Sequence, residues 1–150
     1  KNGWSDVCDF LRGQGYAPAI ASSEPDWYKG NKNPYAMQIK PGSLKQMIKE
    51  MKSAAFFVGV GSGLSWLAWA CDIPVILISG FSESYTEMNC IRISQNDVSI
   101  CSGCFNKFKL NSEDWNWCPK HKGTDRQYEC TKEISSDIVI SSIKKCIENI

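Results

Sequence analysis

The sequence predicts an α/β domain with a mostly parallel sheet, interrupted by a metal-stapled loop. Three observations carry this. Residues 56–60 and 74–79 are apolar runs of strand length, and between them Gly61-Ser62-Gly63-Leu64-Ser65 opens a helical pattern with Leu64, Leu67, Ala68 and Cys71 on one stripe. Strand, glycine turn, helix, strand is the right-handed crossover of α/β proteins. Elsewhere amphipathic helical patterns alternate with short apolar runs. Four cysteines spaced for one metal ion then mark residues from about 97 to 133 as an excursion from that alternation.

Taken in order, Trp4, Val7, Cys8 and Leu11 follow i, i+3, i+4, i+7, and Gly13 and Gly15 supply stops, so residues 4–13 are expected to be an amphipathic helix. Residues 16–21 read as a short buried strand. Prolines, Gly30, asparagines and lysines across 22–41 mark a surface loop, with at most a short extended piece at 36–39. Ser43 caps a helix carrying Leu44, Met47, Ile48 and Met51. The helix after the glycine turn also holds Trp66, Trp69 and Ala70 on its other faces, and a helix apolar nearly all round is expected to be buried. The apolar run at 74–79 is continuous, as in parallel strands covered on both faces. Ser135 or Ser136 caps a last helix with Ile138, Val139, Ile143, Cys146 and Ile147 inward.

The 150 residues are one domain's worth, and 43% of them are hydrophobic, enough to bury a core. A net charge of +1 gives no general pull toward nucleic acid or membrane. Within the excursion, Lys107, Lys109, Lys120, Lys122, Arg126 and Lys132 are nearly matched by Glu113, Asp114, Asp125, Glu129 and Glu133, which argues against a zinc-ribbon nucleic-acid binder. No signal peptide or membrane-length apolar run occurs, so a reducing cytoplasm is the expected setting for eight thiols.

Cys101, Cys104, Cys118 and Cys130 form a C-x2-C-x13-C-x11-C array. Two thiolates three positions apart can turn back onto one ion, and two more complete a four-sulfur shell closed to water, hence structural. A pair of disulfides is the rival, but such scaffolds are usually shorter. Cys8, Cys71, Cys90 and Cys146 fall at apolar positions, where a reduced thiol packs as a small hydrophobe. Sulfur ligands admit zinc or iron. His121 lies between the third and fourth cysteines and could replace one of them; with four sulfurs available, a polar loop role suits it better.

Gly61, Ser62 and Gly63 let the backbone approach a ligand closely, and the first amides of the following helix favour an anion such as a diphosphate. The carboxyl end of a parallel strand is also where open α/β sheets bind ligands. Such turns also occur simply to join helix and strand. The dinucleotide fingerprint needs a further glycine where Trp66 stands, and neither a Walker lysine nor a G-x-S-x-G elbow is present. Ser22-Ser23-Glu24 follows the first strand; it is a solvated turn or, alternatively, a place where Glu24 accepts hydrogen bonds from ribose hydroxyls.

The run V-G-V-G-S-G-L-S-W-L-A-W-A-C-D-I-P-V-I-L-I-S-G-F at 58–81, with C-S-G-C-F-N at 101–106 and W-N-W-C-P-K-H-K-G-T-D-R-Q-Y-E-C-T at 115–131, resembles the bacterial autotransporter heptosyltransferases, relatives of the lipopolysaccharide heptosyltransferases of glycosyltransferase family 9. The resemblance implies a Rossmann-like fold, the carboxyl-terminal half of a double-Rossmann glycosyltransferase. It implies an ADP-heptose donor, serine hydroxyls of an autotransporter adhesin as acceptor, ring-like homo-oligomers, and a ferric ion in the four-cysteine loop, where spacing alone would make zinc the default.

By the same resemblance, Ser62 and Gly63 stand where the family meets the donor diphosphate, with Gly61 and Leu64 beside them and Glu24 matching an acidic residue near the nucleotide. Gly61 and Trp66 replace the aspartate and histidine of the lipopolysaccharide enzymes, so main-chain amides would carry most of the grip. The family's catalytic aspartate belongs to an amino-terminal acceptor domain, and Asp6, Asp9 and Asp26 do not match it. Residues 1–150 are therefore expected to be a donor-binding domain without a catalytic base, inactive alone. The alternative is a metal-stapled interaction module presenting Trp115 and Trp117 to a partner.

Overall fold

The computed structural model describes residues 3–21, 37–38, 42–114 and 116–150. Its helices are α1 (Gly3–Gly13), α2 (Leu44–Lys52), α3 (Gly63–Ala70), α4 (Glu129–Lys132) and α5 (Ser136–Ile147). Its strands are β1 (Ala19–Ile20), β2 (Met37–Gln38), β3 (Phe57–Val60), β4 (Val75–Ile78) and β5 (Ile91–Ile93), with a 3-10 turn at Ser84–Thr86. Every strand pairing is parallel: β1 with β2, and β3-β4-β5 as a separate sheet. The expected mostly parallel sheet is present, divided in two.

β4 organises the molecule. Its four residues are all buried, and successive side chains point to opposite faces, so one strand supplies two cores. Ile76 and Ile78 pack with Val7 and Leu11 of α1 and with Val139, Ile143 and Cys146 of α5. Val75 and Leu77 pack with Met51 of α2, Ala68 of α3 and Met88. The result is three layers, helices on both sides of a parallel sheet, as the continuous apolar run of β4 requires.

The helix ends follow the sequence signals. Ser43 accepts the Gln46 amide and Ser135 the Ile138 amide through their side chains, each covering an amide that the first turn leaves without an acceptor. Other expectations are corrected. The buried strand expected at 16–21 is the two-residue β1, with Ala19 exposed and Ile20 half-buried. α3 buries Ser65 and Ala68 but leaves Trp66 and Trp69 on the surface, 44% and 47% exposed, because only one side of it meets the sheet. The two indoles pack edge to face, 5.8 Å apart, and so shield each other. Ile138 is likewise exposed instead of inward, whereas Val139, Ile143 and Cys146 are buried.

β5 has no counterpart among the expected strands. It is three residues long with Arg92 at its centre, too short to show a period. Pairing with Ile76, Leu77 and Ile78 defines it.

Candidate functional site

Gly61, Ser62 and Gly63 lie exposed at the carboxyl end of β3, and Leu64 is half-buried below them. Ser62 is the N-cap of α3 in extended conformation. The fully buried Ser65 hydroxyl accepts the Ser62 amide at 3.0 Å and donates to the Ser62 carbonyl at 2.7 Å. This loop-back fixes the turn and consumes the Ser62 N–H. The amides of Gly63 and Leu64 are then the first-turn donors that helix geometry leaves for an anion. Ser65→Ala should cost about 1 kcal/mol through loss of the cap, read as a lower denaturation midpoint at constant m-value.

A cavity of about 320 Å³ opens beside this turn, between Gly3 and Trp4 of α1, the carboxyl-terminal residues Val60 and Ile78 of β3 and β4, and Ser136 at the start of α5. Lys132 from α4 also lines it. The sequence reading placed Trp4 and Ser136 in helices and Lys132 among the loop charges, and assigned none of these residues to a site.

The cysteine loop folds against the carboxyl end of β4. Cys101, Cys104, Cys118 and Cys130 all line one cavity of about 200 Å³, with Phe81, Trp117 and Tyr128 around them. All eight cysteines are free thiols. Residues remote in sequence reach this cavity through local devices. Gly103 takes φ +63° between Cys101 and Cys104, where a side chain would also collide with Glu83. Tyr128 takes φ 63°, reversing the chain into α4 and bringing Cys130 in.

Burial pushes the Cys101 thiol up to about 11, with the Glu129 carboxylate and the neighbouring sulfurs adding to it. Burial likewise raises Cys104 and Cys130. Opposite Cys101, the Arg126 guanidinium and then the Cys101 amide hold the Glu129 carboxyl down at about 2. Among the described residues, the metal-capable atoms that all lie within 4.8 Å of one another are those of Cys101, His121 and Glu129. Of the four cysteines that line the cavity, Cys101 belongs to this group.

Loop and glycine turn are joined through residues 80–82. The Gly103 amide donates to the Gly80 carbonyl at 3.0 Å, and that of Phe105 to the Phe81 carbonyl at 3.1 Å. The Phe81 ring packs against Phe105 and Trp117, with centroids 5.4 and 5.5 Å away. Ser82 in turn lies against Gly61. Ser79, Glu87 and Arg92 brace this segment from below: Glu87 accepts from the Ser79 hydroxyl and from Arg92 Nε at 2.8 Å, and Arg92 reaches the Ser82 carbonyl at 3.0 Å.

The structure thus brings the four cysteines to one cavity and places Gly61, Ser62, Gly63 and Leu64 one short segment away. Glu24 and Trp115 lie outside the described residues. Trp117 is packed on Phe81, which weakens its reading as a free anchor for a partner. Lys107, Lys122 and Arg126 are paired with Glu83, Asp114 and Glu129, which leaves the loop without a basic face built on them. The Glu129–Arg126 pair escaped the sequence reading, which counted both residues only among the loop charges, and the Ser79–Glu87–Arg92 brace has no counterpart in it.

No protein-family model matches the chain. It is 39% identical over 154 residues to the autotransporter heptosyltransferase BAHTCr of Citrobacter rodentium, covering 95% of this chain and 36% of that protein. Identity to the autotransporter heptosyltransferase TibC of Escherichia coli O78:H11 is 38%, covering 95% of this chain and 37% of TibC. The crystal structure of dodecameric, iron-containing TibC in complex with ADP-D-beta-D-heptose superposes with a TM-score of 0.88 at 35% identity, covering 99% of this chain and 41% of that one. BimC of Burkholderia thailandensis, named an inactive autotransporter heptosyltransferase, is 32% identical over 99% of this chain and 35% of its own length. The chain therefore spans little more than a third of these curated relatives, 35 to 37% of their length, and is similar to them over nearly all of its own.

Proposed function

We propose that residues 1–150 are the nucleotide-sugar-binding domain of a heptosyltransferase that takes ADP-heptose as donor and transfers heptose, with inversion, to serine hydroxyls of an autotransporter protein. The observation that carries this is the exposed Gly61-Ser62-Gly63 turn at the end of β3, in a chain that superposes on TibC crystallised with ADP-heptose. Departure of the diphosphate builds negative charge. The Gly63 and Leu64 amides, preorganised at the start of α3, stabilise it there without reorganising. Glu24 would accept hydrogen bonds from the ribose. The base that takes the serine proton is assigned to no residue of this chain.

Cys101, Cys104, Cys118 and Cys130 are proposed to hold one metal ion, within a loop insertion at about 97–133. Four sulfurs around one cavity fit such an ion, and a cation among buried thiolates offsets their mutual repulsion. Iron is the metal of TibC, and the sulfur set would take zinc as well. A closed four-sulfur shell leaves no position for substrate, so the ion's chemistry is structural. Assembly into a homo-oligomer, as in dodecameric TibC, and a cytoplasmic location complete the reading. No helix among the described residues is long and apolar enough to cross a membrane.

Gly63→Val tests the donor site. A Cβ at Gly63 meets nothing within 4 Å, so the variant should fold, while its bulk covers the amides a diphosphate needs. Calorimetric titration should show that ADP binding is lost with the melting temperature nearly unchanged. Unchanged ADP affinity in the folded variant would sink the assignment. The likeness to inactive BimC supports a second reading, an assembly module without catalysis. That reading predicts no ADP binding by the unmodified protein either.

A further inference from the structure

We infer that Glu129 and Arg126 form a latch that positions Cys101 against Cys130, and that Glu129 is not itself a metal ligand. This rests on the four-cysteine reading above. Glu129 Oε1 accepts the Cys101 amide at 2.8 Å across 28 residues of sequence. Arg126 forks onto the same carboxylate, Nε to Oε2 and Nη2 to Oε1, both at 2.7 Å. The same guanidinium donates to the Ser99 carbonyl at 2.8 Å. One ion pair therefore grips the chain on both sides of Ile100 and ties it to the residue next to Cys130. Two of the four sulfurs thereby take their separation from a single carboxylate.

The close approach of Cys101, His121 and Glu129 admits a rival, a mixed site in which Glu129 ligates. The hydrogen bonds argue against it. Oε1 already accepts from the Cys101 amide and from Arg126, so ligation there would cost one of those bonds, and ligation at Oε2 would compete with Arg126 Nε. His121 Nε2 stands 3.7 Å from Oε1, so it adds to the wall behind Cys101. The charges also require the latch to be intact. Glu129 is 8% exposed, and without Arg126 its carboxylate would face the Cys101 sulfur uncompensated, as the anion best placed to compete for the ion.

Cobalt(II) titration of the purified, reduced protein tests the latch, because its visible bands report both affinity and the number of sulfur ligands. Unmodified protein should bind one cobalt with strong thiolate charge-transfer absorption. Glu129→Ala and Arg126→Met should each bind about 10- to 100-fold more weakly, the usual range for removing a group that orients a ligand. Their bands should shift, and Glu129→Gln, which keeps an acceptor for the Cys101 amide, should fall between. Arg126 has a half-exposed side chain, so its variant keeps the test open if Glu129→Ala does not fold. Variants that bind cobalt as tightly as the unmodified protein, with the same spectrum, overturn the latch. Charge-transfer intensity that counts fewer than four thiolates in the unmodified protein, with cobalt binding lost in Glu129→Gln as in Cys101→Ser, overturns it in favour of Glu129 as a ligand. Unmodified protein that takes up no cobalt refutes the four-sulfur reading and the latch with it.

Discussion

Cys118→Ser should strip the protein of its metal and release residues 97–133, while the β3-α3-β4 unit stays folded. Cys104→Ser should do the same. Both side chains are nearly closed off, 7% exposed for Cys104 and 8% for Cys118, and both face the shared cavity. Among the described residues, neither apolar core draws on 97–133. What holds the loop is the Phe81–Phe105–Trp117 cluster, a few backbone bonds, the Lys107–Glu83 and Arg126–Glu129 pairs and the sulfur site. Apparent binding energies of about 10–16 kcal/mol are usual where a structural ion organises a small unit, so losing one ligand in four exceeds what the remaining contacts can hold. The crossover has its own packing around Ile76, Ile78 and Ala68. Metal analysis should fall from about one ion per chain to near none. Hydrogen exchange should quicken in 97–133 alone. Two disulfides and no metal in protein prepared under reducing conditions would falsify the assignment.

Gly80→Val should detach the loop from the sheet with the cysteines intact. A Cβ at Gly80 would sit 2.5 Å from the Cys130 carbonyl carbon and 3.0 Å from the Cys130 Cβ, and the main chain of Cys130 cannot swing aside as a side-chain tip can. Either strand end or loop must move, which also breaks the Gly103-to-Gly80 hydrogen bond. Overpacking of this kind costs about 1–3 kcal/mol, and backbone against backbone belongs at or above the top of that range. Because Ser82 lies against Gly61, the shift should also reach the glycine turn. Denaturation, metal retention and ADP affinity should therefore all suffer. Gly63→Val, with open space around it, should change ADP affinity alone. Equal stability of Gly80→Val and the unmodified protein would show that the loop does not dock as described.

Much of the fold is legible in short stretches. The stripe Val7, Cys8, Leu11 gives α1, the caps Ser43 and Ser135 start α2 and α5, and the unbroken apolar run of β4 announces a strand covered on both faces. The cysteine spacing marks four residues that do line one cavity. β5, by contrast, exists because Ile91, Arg92 and Ile93 lie beside Ile76, Leu77 and Ile78. Burial of α3 was overestimated because apolarity all round says how much surface could be covered, not how much sheet is there to cover it.

The alternation of strands and helices, the glycine turn at the end of β3 and the four sulfurs of the loop are all written in the amino-acid order alone. Periodicity, caps and ligand spacing are written in residues a few positions apart, and local sterics read them directly. It takes the folded chain to show that Gly80 must lack a side chain, that Ser82 joins loop to turn, and that Glu129 reaches back to Cys101. Each depends on backbone segments tens of residues apart meeting in one register, and that meeting is made by tertiary contacts that no local pattern encodes.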